Sequence, residues 1–210
     1  MTYKYVMPNV RSLADVRGVR EPGKRMRSRL LDAAVDLFRA QGLAGVAVAD
    51  IAAAAGAFPS QITYYFRTKE ALFVEAACRE VLYVARQAEE AAARAPTGPD
   101  YNRLLVETVI GSPGLALFVE ALSLTRRRQD LAPLVERTFE RLHAQGDRAY
   151  AEIKLKRGWS GGDDPATTAR RFWTLALGVA LRDGATGATT QEAVDEMLAL
   201  MRHGPRGGND

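Results

Sequence analysis

Residues 55–66 read Ala-Gly-Ala-Phe-Pro-Ser-Gln-Ile-Thr-Tyr-Tyr-Phe (AGAFPSQITYYF), and two residues punctuate the stretch. Gly56 suits the left-handed position that ends a helix. Pro59 suits the first turn of the next one, where a missing N–H costs nothing. The spacing predicts a helix from Pro59 with Ile62 and Phe66 inward, and with Ser60, Gln61, Thr63 and a tyrosine outward. Upstream, Val48, Ile51, Ala52 and Ala55 form a short apolar stripe. A longer one, Leu30, Ala34, Leu37 and Phe38, follows the Pro22-Gly23 break and stops at Gly42. Three short helices with a tight glycine turn between the second and third make a helix-turn-helix, a unit whose last helix can enter the DNA major groove.

The helical punctuation continues downstream. Thr68 can cap a fourth helix, Glu70 favours its first turn, and Phe73, Ala77, Val81, Val84 and Ala88 carry its stripe towards the break at Pro96–Pro99. Asp100, Ser112-Pro113 and Asp130 mark three more starts. After the loop 158–165, Asp164-Pro165 opens a further helix, and Thr189–Glu192 is a capping box for the last. No stretch alternates as a strand does. The expectation is an all-α chain: a basic N-terminal arm (1–23), a three-helix helix-turn-helix domain (24–68), a larger helical domain (69–203) and a tail (204–210).

Composition narrows the function. Of 210 residues, 47% are apolar, enough for a sizeable core. No apolar run approaches the roughly 20 residues that span a bilayer, and the N-terminus lacks a signal-peptide core. The expectation is a soluble, cytoplasmic protein with no membrane partner. A single cysteine, Cys78, excludes an intramolecular disulfide, and His143 and His203 lie too far apart for zinc-ligand spacing. Asp163 and Asp164 read as turn and cap residues, and phosphate-loop and dinucleotide glycine patterns are absent. No cofactor, no metal and no catalytic group are expected. Residues 1–29 hold eight Lys or Arg against two acidic residues, a balance of +6, whereas the rest hold 21 against 23, or −2. The basic segment includes Arg11, Arg17, Arg20, Lys24, Arg25 and Arg27, and points to a polyanion met by that end of the molecule.

The run from Arg27 to Leu72, RSRLLDAAVDLFRAQGLAGVAVADIAAAAGAFPSQITYYFRTKEAL, resembles the DNA-binding domain of TetR-family transcriptional regulators. The resemblance is carried by the joint spacing of the first-helix leucines and alanines, Phe38, Gly42, Asp50-Ile51-Ala52, Ala55-Gly56, Phe66 and Lys69-Glu70-Ala71-Leu72. It implies that Pro59, Ser60, Gln61, Thr63, Tyr64 and Tyr65 meet DNA. Gln61 is the candidate for bidentate pairing with adenine. Tyr65 and Lys69 are the candidates for phosphates. Of the adjacent tyrosines one is partly core, and Tyr64 is the more ambiguous. The chain departs from the family at Val46 and Ala47, where hydroxyls usually stand, and at Phe58 and Thr63. Phe58 has two readings, an apolar partner for Ile62 or a contact with a thymine methyl.

The resemblance also implies a ligand-released homodimer, a repressor on a palindromic operator. Apolar residues cover more than one face of the helix after Pro165, so Phe172, Trp173, Leu175 and Val179, with Val194, Leu198 and Met201 of the last helix, are the expected dimer interface. The expected lining for a largely apolar effector is Tyr101, Leu104, Phe118, Leu122, Phe139, Leu142, His143 and Tyr150, with Cys78 and Tyr83 from the fourth helix. Two other classes fit a helical chain: an adaptor that uses the groove for a protein partner, and a helical-bundle enzyme.

Overall fold

The computed structural model describes residues 13–159 and 163–202, with side chains from residue 21 onward. The arm residue Arg11, the side chains of Arg17 and Arg20, His203 and the tail lie outside this set. The described residues form nine α-helices and no strand: α1 (Leu13–Gly45), α2 (Val48–Ala54), α3 (Pro59–Phe66), α4 (Lys69–Ala92), α5 (Gly98–Ile110), α6 (Pro113–Thr125), α7 (Ala132–Arg157), α8 (Pro165–Thr186) and α9 (Thr190–Arg202). A single 3-10 turn, Gln129–Leu131, leads into α7. No single helix among them is long and apolar enough to cross a membrane.

Local chemistry sets most boundaries. Thr68 Oγ1 accepts the Ala71 N–H at 3.1 Å, Ser112 Oγ that of Gly114 at 3.1 Å, and Asp164 Oδ1 that of Thr167 at 3.0 Å. At α9 the box closes both ways: Thr189 Oγ1 accepts from Glu192 N at 3.3 Å and Glu192 Oε2 from Thr189 N at 2.8 Å. Two starts differ from expectation. Thr97, not Asp100, caps α5, its Oγ1 accepting the Asp100 N–H at 3.3 Å. The expected break at Pro22-Gly23 is absent, because α1 runs through Pro22 from Leu13. Proline removes one i→i−4 bond, and here that loss does not end the helix. Gly42 does interrupt the helical path, with φ 67° and ψ 172°.

The helix α4 is the axis of the molecule, packing against α1 and α3 at its start and against α5, α6 and α7 further on. One continuous apolar core runs from Leu30 in α1 through α4 to Leu198 in α9. Phe38 of α1 meets Phe73 of α4 edge to face at 5.1 Å between ring centroids. Along the same seam Arg27 pairs with Glu75, Arg39 with Glu80, and Arg79 with Asp32. The helix-turn-helix and the body are therefore packed together through α1 and α4.

Candidate nucleic-acid interface and effector cavity

The turn before α3 depends on Gly56. The Ala57 N–H bonds the Ala52 carbonyl at 2.8 Å and the Gly56 N–H that of Ala53 at 3.0 Å, the paired closure of a left-handed helix end, with Gly56 at φ 58°. A side chain there would be strained, and its Cβ would lie 2.7 Å from an Arg29 guanidinium nitrogen that donates to the Ala55 carbonyl. The two starts that lack a capping hydroxyl are supported from within the helix. Asp50 Oδ2 accepts the Ala47 N–H at 3.1 Å, and Gln61 Oε1 accepts the Phe58 N–H at 3.0 Å.

That last bond gives Gln61 a role at the helix start beside the one expected of it. Bidentate pairing with adenine uses the amide oxygen as acceptor, and here one of its two lone pairs is taken by the Phe58 N–H. Phe58 is 75% exposed, so it is not a core partner of Ile62, which is buried. The tyrosines are reversed as well. Tyr64 is 79% exposed, whereas Tyr65 is half-buried, its ring edge to face with Tyr64 at 4.9 Å. The reason is the helical period: Ile62 and Phe66 define the inner face, and Tyr65 lies beside Phe66 on it. Pro59, Ser60 and Thr63 are exposed.

Two cations fall differently from expectation. Lys69 is half-buried, and its Nζ donates to the Leu43 carbonyl at 2.9 Å and the Val46 carbonyl at 2.8 Å, so its ammonium clasps the α1–α2 connection instead of facing a phosphate. Arg27 is turned inward to Glu75, with its guanidinium carbon 5.0 Å from the centroid of the Phe66 ring. Arg25 remains exposed. Sequence reading overlooked Arg67. It is exposed and has φ 68° and ψ −51°, and the Thr68 N–H reaches the Phe66 carbonyl across it at 2.8 Å. This is a γ-turn, rare and strained for a residue with a side chain. It sits between the exposed helix and α4.

The body holds a cavity of about 50 Å³ between α4, α5, α7 and α8, lined by Ala85, Ala88, Glu89, Tyr101, Asn102, Leu105, Tyr150, Thr168, Phe172, Trp173 and Met201 among others. Of the ten residues expected to line an effector site, Tyr101 and Tyr150 line this cavity. Phe118 and Leu142 are fully buried core. Phe139 stacks between Phe118 and His143 at 5.6 and 5.9 Å, and Leu104 and Leu122 are half-buried beside the core. Burial, then Arg170, holds His143 below the usual imidazole range. Tyr83 points outward, 54% exposed. With the buried Cys78 it borders a separate groove of about 520 Å³ whose rim carries Arg27, Arg79, Arg86, Arg137 and Arg141. Burial pushes the Cys78 thiol up, so it stays protonated.

Most of the expected dimer residues lie inside this chain's own fold. Phe172 and Trp173 meet edge to face at 5.5 Å in the cavity wall, and Val179, Val194 and Leu198 are already buried in this chain's own core. Met201 lines the cavity and Leu175 is half-buried against the core. What α8 turns outward is Arg170, Thr174, Gly178, Leu181, Arg182, Gly184, Ala185 and Thr186. Apolar residues occur on more than one face of α8, and packing against α5, α6, α7 and α9 decides which of them are inside.

Glu89 is the cavity residue with no sequence signal beyond a carboxylate flanking the apolar stripe of α4. Its Oε2 accepts from Gln145 Nε2 at 2.8 Å. Burial pushes its carboxyl up, against the pull of Gln145, Arg148 and Arg86. Tyr101, buried beside it, is pushed up to about 12 by burial and then by the charge of Glu89.

Residues 30–76 match the model of bacterial regulatory proteins of the tetR family, and residues 98–202 the model described as bacterial transcriptional repressor C-terminal. A crystal structure described as a transcriptional regulator from Rhodococcus sp. RHA1 is 36% identical, with 84% of this chain and 93% of that chain covered and a TM-score of 0.73. The chain belongs to the TetR family. As a TetR-family protein it is a DNA-binding transcriptional regulator of the ligand-responsive kind. The fold recurs in a TetR-family regulator from Mesorhizobium loti MAFF303099, 19% identical over 86% of this chain and 95% of that chain, TM-score 0.65. It recurs too in the fatty acid degradation regulator FadR from Bacillus halodurans, 19% identical over 86% and 96%, TM-score 0.63. No curated protein matches significantly.

Proposed function

We propose that this TetR-family chain is a repressor that binds a two-fold-symmetric operator as a homodimer, and that a small molecule in the α4, α5, α7 and α8 cavity releases it. The single observation that carries the reading is the outward face of α3. Phe58 is 75% and Tyr64 79% exposed, beside exposed Pro59, Ser60 and Thr63. Large rings left in water on a short polar helix need a partner surface, and the major groove offers thymine methyls to rings and base edges to hydroxyls. Ser60, Thr63, Tyr64 and Arg67 are the direct contacts in this reading, with Arg25 and the arm supplying phosphate neutralisation. The two-fold is supported by the outward stripe of α8, with Leu181 58% exposed, and by Leu200 of α9, 43% exposed.

Coupling follows from α4. It begins one turn beyond α3, is clasped by Lys69 to the α1–α2 connection, and supplies Ala85, Ala88 and Glu89 to the cavity. In this reading the ligand parts these walls, so it binds the spread conformation better than the closed one. That difference is what moves the reading heads. Selection of bound fragments from the host genome tests the reading. Recovery of a palindromic site that loses the protein as salt rises is the expected result, and retention of no fragment above background would sink it. Light scattering at micromolar concentration should give a dimer mass, which Leu181→Glu reduces to a monomer.

A further inference from the structure

Resting on the reading of this cavity as the effector site, we infer that its ligand is an organic cation, an amine or quaternary ammonium group carrying an apolar body. The cavity combines one carboxylate with aromatic walls: Glu89 stands beside Tyr101, Tyr150, Phe172 and Trp173. The Tyr101 and Tyr150 rings lie 6.4 Å apart, and Trp159 closes on Tyr101 from the other side at 5.8 Å. Aromatic faces carry negative quadrupole charge and attract cations, most strongly when water is excluded.

The charge pattern selects among ligands. No Lys or Arg lines the cavity, and Arg86 and Arg148, the nearest cations to Glu89, form no ion pair with it among the described residues. An anion would therefore face the Glu89 carboxylate with no cation in the cavity lining to pair with. A bare metal ion needs several oxygens, and here one carboxylate oxygen is held by Gln145 and most of the lining is carbon. A neutral apolar ligand would cover the half-buried Glu89 and leave its carboxylate only the Gln145 amide as a direct partner. An outer depression shares Glu89, Tyr101 and Ala149 with the cavity and adds Glu90, Glu152 and Lys156, three carboxylates against one ammonium in its lining, and beside it the Lys154 ammonium lies 5.8 Å from the Tyr150 ring centroid, as a cationic guest would. The path to the cavity thus draws in positive charge. A cation docked there gains a partner for Glu89 and ring faces for its methyl or methylene groups. Gln145 holds the carboxylate in place.

Titration of the full-length protein with three probes of similar size tests the assignment: benzyltrimethylammonium, its neutral carbon isostere neopentylbenzene, and phenylacetate. Quenching of Trp173 and calorimetry report binding. The cation should bind about tenfold or more tightly than either other probe, the scale of one cation–ring contact with a carboxylate partner. In Glu89→Gln, which keeps an amide partner for Gln145, the preference should fall to about threefold or less, and Tyr150→Leu should erode it in part. Equal or tighter binding of neopentylbenzene or phenylacetate would overturn the cation assignment and leave the cavity as a ligand site. Binding of none of the three up to millimolar concentration would overturn both.

Discussion

The Lys69 clasp is the feature whose role changed most between sequence and structure, and Lys69→Met isolates it. Methionine keeps the length and apolar stem of lysine, so the perturbation is the loss of the ammonium. Two bonds disappear, to the Leu43 carbonyl at 2.9 Å and the Val46 carbonyl at 2.8 Å. Bonds from a charged donor contribute about 1.5–3 kcal/mol each. Taking each bond at the lower bound gives about 3 kcal/mol together. Removing a cation from the first turn of α4 returns about 0.5 kcal/mol from the helix dipole. The expected destabilisation is about 2–3 kcal/mol, a fall in midpoint of about 5–10 °C for a chain of this size. Thermal unfolding followed by circular dichroism measures it, alongside operator affinity over a salt series. Because the ammonium faces carbonyls, the slope of log affinity against log salt should not change. An unaltered midpoint with a slope flattened by about one unit would show the ammonium on a phosphate and refute the reasoning.

Three further outcomes follow from the same geometry. Phe58→Ala should leave stability within about 0.5 kcal/mol, since the ring is already in water, and weaken operator binding by about 1 kcal/mol, measured by anisotropy against urea unfolding. Arg67→Gly should raise stability by about 1 kcal/mol by relieving the γ-turn, yet flatten the salt slope by about one unit if the guanidinium meets a phosphate; a destabilised variant would contradict the strain. Glu89 is raised above the ordinary value of 4.5 by burial. The folded state thus holds this proton more tightly, and the stability it contributes is present below the unfolded value and lost as pH rises through the folded one. Glu89→Gln should therefore raise the melting temperature at pH 7, with the gain shrinking towards pH 4, and a gain independent of pH would exclude the burial argument.

The residues that belong to the sequence alone are those whose bonds are local. Thr68, Ser112, Asp164 and the Thr189–Glu192 box act over two or three residues, and Gly56 closes a helix on its own turn. Such contacts form wherever the segment is helical, so element order, the helix-turn-helix and the all-α class could be read before any packing was known. Tertiary structure decided which way a two-sided residue turns. Lys69 finds acceptors 26 and 23 residues upstream, Arg27 finds Glu75, and Phe58 finds nothing and stays in water. The residues α8 faces are Phe172 and Trp173 inward and Leu181 outward, although both sets are apolar. Glu89 became a cavity residue when α5, α7 and α8 brought rings around it. Periodicity measures how a helix divides into faces. Burial depends on helices far away in the chain, whose positions no local spacing records.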